Sequence, residues 1–63
     1  MKWRNWKDTP PQLPHAPIMV RLAGLVWMDT IWGVRWIGVV EGLEWTPLGI
    51  YREEFWQTTG RWI

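Results

Sequence analysis

Apolar and polar positions divide the chain into an arm and a body. Residues 1–17, MKWRNWKDTPPQLPHAP, carry no apolar period and hold four prolines, at positions 10, 11, 14 and 17. They predict an extended Pro-rich arm, because such a segment has too little apolar surface to order itself. Residues 18–63 then read as a small Trp-rich helical domain.

Within that body, the run PIMVRLAGLVWMDTIW fits a helix over about 17–32. Val20, Ala23, Val26, Trp27, Thr30, Ile31 and Val34 fall on one broad face, and Arg21, Met28 and Arg35 on the other. Pro17 suits a first turn, where its missing N–H is an orphan anyway. Beyond Trp32 two readings stand side by side. Either the helix extends to 40, or residues 34–46 form an irregular or hairpin segment with a turn at Glu41-Gly42. Gly33, Gly38 and Gly42 each cost a helix about 1 kcal/mol, and Val34, Ile37, Val39 and Val40 favour strands.

The segment TPLGIYREEFWQTTGRWI predicts a helix over 47–59. Thr46 can cap it, Pro47 suits its first position, and Gly60 suits the position just past its end. Leu48, Tyr51 and Phe55 share a face on which Trp62 can fold back. The fold class expected from these patterns is mainly α.

Residues 18–40 are also long enough to cross a bilayer, which takes about 20 mainly apolar residues. Arg21, Asp29 and Arg35 oppose that reading. Each costs roughly 2.5 to 3.5 kcal/mol near a helix centre, against about 0.3 to 0.6 returned by each strong apolar residue. They are spaced eight and six apart, so they do not face one another on one helix. Asp29 and Arg35 are therefore candidate buried charges: in a fold outside the membrane they reach water or each other, and inside one they need a neighbouring subunit.

Composition narrows the chemistry. Among 63 residues there is no cysteine and no serine, and His15 is the lone histidine, so thiolate, serine-nucleophile and multi-histidine sites are excluded. Glu53 and Glu54 are adjacent and point about 100° apart on a helix, which rules them out as a facing carboxylate pair. No enzyme activity, metal or cofactor is expected. The basic start KWRNWKD runs into prolines and not into the apolar core of a secretory signal. A net charge of +1 gives no strong nucleic-acid signal.

Eight tryptophans remain to be explained. Tryptophan and arginine dominate the energetics of protein interfaces, and Trp3, Arg4, Trp6, Leu13, Trp36, Trp56 and Trp62 are the candidate partner-binding residues. The expectation is a structural or accessory subunit of a larger assembly, such as a virion or multisubunit complex, which binds neighbouring protein subunits through its N-terminal arm, residues 1–17, and its exposed tryptophans. Two alternatives are an accessory subunit of an energy-transducing membrane complex, with 18–40 in or on the membrane, and a small inhibitor docking on an enzyme or nucleic-acid machine.

Overall fold

A computed structural model describes residues 2–60, without the side chains of residues 58 and 59. It overturns the mainly α expectation: the described residues form a four-stranded antiparallel sheet with two helices. In chain order the elements are β1 (Arg4–Asn5), β2 (Ile18–Leu22), β3 (Leu25–Asp29), α1 (Ile31–Ile37), β4 (Glu44–Pro47) and α2 (Leu48–Thr59). Across the sheet the strands run β1, β4, β2, β3.

The largest correction falls on 17–32, where a hairpin replaces the expected helix. β2 and β3 pair from Ile18 opposite Asp29 to Leu22 opposite Leu25, leaving Ala23 and Gly24 as a two-residue turn. Both turn residues have positive φ, 50° and 83°, as the tight turn matching strand twist requires. Val20, Val26 and Trp27 belong to the residue types that fit a pleated surface, and here that preference prevails over helical spacing.

Register sorts the side chains onto two faces. Ile18, Val20 and Trp45 turn one way and meet Ile31 and Val34 of α1, together with Trp6 and Leu43; Leu22, Trp27 and Val39 pack around this core. Val20 is fully buried, a burial worth on the order of 2 kcal/mol. On the opposite face Met19 and Thr46 are buried, and α2 packs there. The sheet is thus the middle layer, with one helix on each side.

The expected extension of the first helix to 40 does not form, because α1 begins only at Ile31 and stops at Ile37. Thr30 caps it, its hydroxyl accepting from the Gly33 N–H. A turn does fall at Glu41-Gly42, and β4 follows it. α2 matches the expected helix closely, ending on Gly60 in the left-handed conformation. Its start differs: Pro47 is the capping position with no side-chain cap bond, and Thr46 is buried in β4.

The described part of the arm, residues 2–17, is tied to the body. Arg4 and Asn5 pair with Trp45 and Glu44, the Trp6 N–H donates to the Leu43 carbonyl at 2.9 Å, and Trp45 Nε1 donates to the Thr9 carbonyl at 2.7 Å. Lys7 also reaches Glu41 at 2.9 Å.

Candidate protein interface

α1 has seven residues, so its faces are easily told apart. Ile31 and Val34 point into the core. Trp32 and Trp36, four apart and therefore neighbours on the surface, point out, with 56% and 91% of their surfaces exposed. Ile37, the last residue of α1, and Val40 beyond it are exposed too. These two line an apolar groove of about 100 Å³ with Leu22, Trp27, Val34, Gly38 and Leu43. A fully exposed tryptophan presents on the order of 200 Å² of surface, so Trp36 is the largest uncovered anchor on this side.

The other expected partner-binding residues are dispersed. Trp6 is 6% exposed and belongs to the core. Trp3 is half-buried inside a stack on the α2 side of the sheet: Arg21 lies over its ring at 4.5 Å, Tyr51 meets it edge-on at 6.1 Å, and Phe55 stacks on Tyr51 at 6.0 Å. Glu44 holds Arg21 in place through Nε at 3.1 Å and Nη2 at 2.9 Å. Arg4 lies over the Trp45 ring at 5.1 Å. Leu13 is exposed and, with Arg4 and Trp45, lines a cleft of about 270 Å³ along the arm. Trp56 is exposed on α2, and Trp62 lies outside the described residues.

The two candidate buried charges part company. Asp29 is half-buried and accepts from Trp27 Nε1 at 3.0 Å and from the Thr30 N–H at 2.8 Å. Arg35 is exposed on α1, beside Trp32 at a cleft against the arm prolines. His15 is exposed, its ring 6.5 Å from that of Trp32. Among the described residues no three metal-ligating side chains gather, and no helix is long and apolar enough to cross a membrane.

Sequence reasoning included Trp36 but not Trp32, Ile37 or Val40. Once a helix is taken to start at Ile31, the 100° step per residue sends Trp32 and Trp36 opposite Ile31 and Val34. The missing signal was the helix start. Comparisons with protein-family models, with curated proteins and with solved structures gave no match for this chain.

Proposed function

We propose that this chain is a non-enzymatic structural or accessory subunit of a larger protein assembly, and that it meets a neighbouring subunit through the outer face of α1. The observation that carries this reading is Trp36, 91% exposed on a helix whose opposite face is already committed to the core. Trp32, one turn away on the same helix, and Ile37 and Val40, next in the chain, are exposed apolar residues as well, and aromatic anchors dominate binding energies at interfaces. Covering Trp36 alone removes surface worth about 5 kcal/mol before the costs of association. Arg35, on the same helix, supplies a cationic rim.

A photo-crosslinking amino acid placed at Trp36, in the cells that make this protein, tests the reading. The expected result is one discrete protein adduct, absent when the label sits at the exposed Arg52 of α2. Lipid adducts alone would assign the face to a membrane surface. Equal labelling at 36 and 52 would remove the interface altogether.

A further inference from the structure

The sheet has two edges, and they are built differently. The β1 edge is two residues long and closed: the Asn5 carbonyl accepts from the Thr9 N–H at 2.9 Å, and Pro10 and Pro11 follow. The β3 edge is five residues long and pairs with β2 without a break in register. It contains no proline or lysine and no bulge, the usual devices that keep an edge from pairing.

The direction of its backbone groups follows from the turn. In a two-residue hairpin the pair flanking the turn exchanges both hydrogen bonds, and bonded and non-bonded pairs alternate from there. Leu22 and Leu25 flank the turn, so Leu25, Trp27 and Asp29 direct their backbone groups to β2. Val26 and Met28 direct theirs to the open edge. The same alternation, carried across the sheet, leaves Pro47 opposite Ile18 where no N–H is required, and it agrees with the bond from the Trp6 N–H to Leu43.

We propose that β3 pairs antiparallel with β3 of a second copy of this chain, joining the two sheets into one of eight strands. The two-fold axis passes through Trp27. Val26 of each copy exchanges two backbone hydrogen bonds with Met28 of the other, and their side chains, 43% and 59% exposed in the single chain, cover each other. The register also brings no charge clash. Asp29 falls opposite Leu25, so no like charges meet, and its carboxylate is already held by Trp27 and Thr30. Four backbone bonds and two apolar pairs form a contact below the roughly 1,200 Å² of stable complexes, so the dimer is weak and concentration-dependent. Trp27 also lines the groove beside Ile37 and Val40, but the pairing is made by Val26 and Met28, which share the sheet face of Arg21 and Met19, so it does not depend on what Trp36 meets.

Amide hydrogen exchange on the intact chain, followed by NMR alongside sedimentation, tests this. The amides of Leu25, Trp27 and Asp29 should be protected at every concentration, reporting the fold. Those of Val26 and Met28 should slow by at least about tenfold as the dimer fills. Met28→Lys, an exposed change that charges the edge, should restore the monomer without loss of protection at the other three. A chain still monomeric at about 1 mM would overturn the proposal. So would a dimer in which the Val26 and Met28 amides exchange as fast as in the monomer.

Discussion

Asp29 and Gly33 act together where β3 turns into α1. The carboxylate accepts from Trp27 Nε1 and from the Thr30 N–H, and a Cβ at Gly33 would collide with its Oδ1. Alanine in place of a helical glycine ordinarily gains about 1 kcal/mol. Here that gain is outweighed, because moving the carboxylate loses charge-assisted bonds worth about 1.5 to 3 kcal/mol. Gly33→Ala should therefore destabilise the chain by about 1 kcal/mol in urea unfolding, and in an Asp29→Ala background the same change should stabilise it. A like sign in both backgrounds would show that the two residues do not interact. That a carboxylate among Val26, Trp27, Ile31 and Trp32 needs a donor follows from residue types alone. The approach of Gly33 does not, since it depends on where the helix begins.

The elements show what decided legibility. α2 was readable because its signals are punctuation: Pro47 before it and Gly60 after it mark its ends whatever packs against it. The β2–β3 hairpin was not, because its apolar run satisfies helical and strand periods alike, and its turn is Ala-Gly where Asn-Gly would have announced it. Ala23 sits at φ 50°, a conformation that costs a residue with a Cβ roughly 1 to 2 kcal/mol. Ala23→Asn should recover part of this, about 0.5 kcal/mol, and raise the melting temperature by roughly 2 to 4 °C. No rise on calorimetry would mean that the turn does not limit the hairpin. α1 was obscured by the same run, since its cap, Thr30, appeared to lie inside a longer helix.

At the scale of the whole molecule, a domain of this size buries only about 60% of the surface its unfolded chain exposes. Trp6 and Trp45 are enclosed, while Trp32, Trp36 and Trp56 are left outside. Residue types alone make the tryptophans candidates for interface chemistry, but they do not tell the enclosed ones from the rest, because that division depends on sheet order. β4 lies between β1 and β2, and Trp45 is opposite Arg4 on one side and Val20 on the other. A chain ending at Gly42 keeps the β2–β3 hairpin as its longest paired unit, which alone is marginal in water. It should show no cooperative thermal transition by circular dichroism, and a separate peptide of residues 43–60 should restore one. Sheet order also bears on synthesis. On a ribosome β1 and the far side of β2 emerge with no strand to close against, so this chain passes through a stage in which Trp6 lacks Leu43 and Trp45 and a chaperone that shields nascent apolar segments has its opportunity.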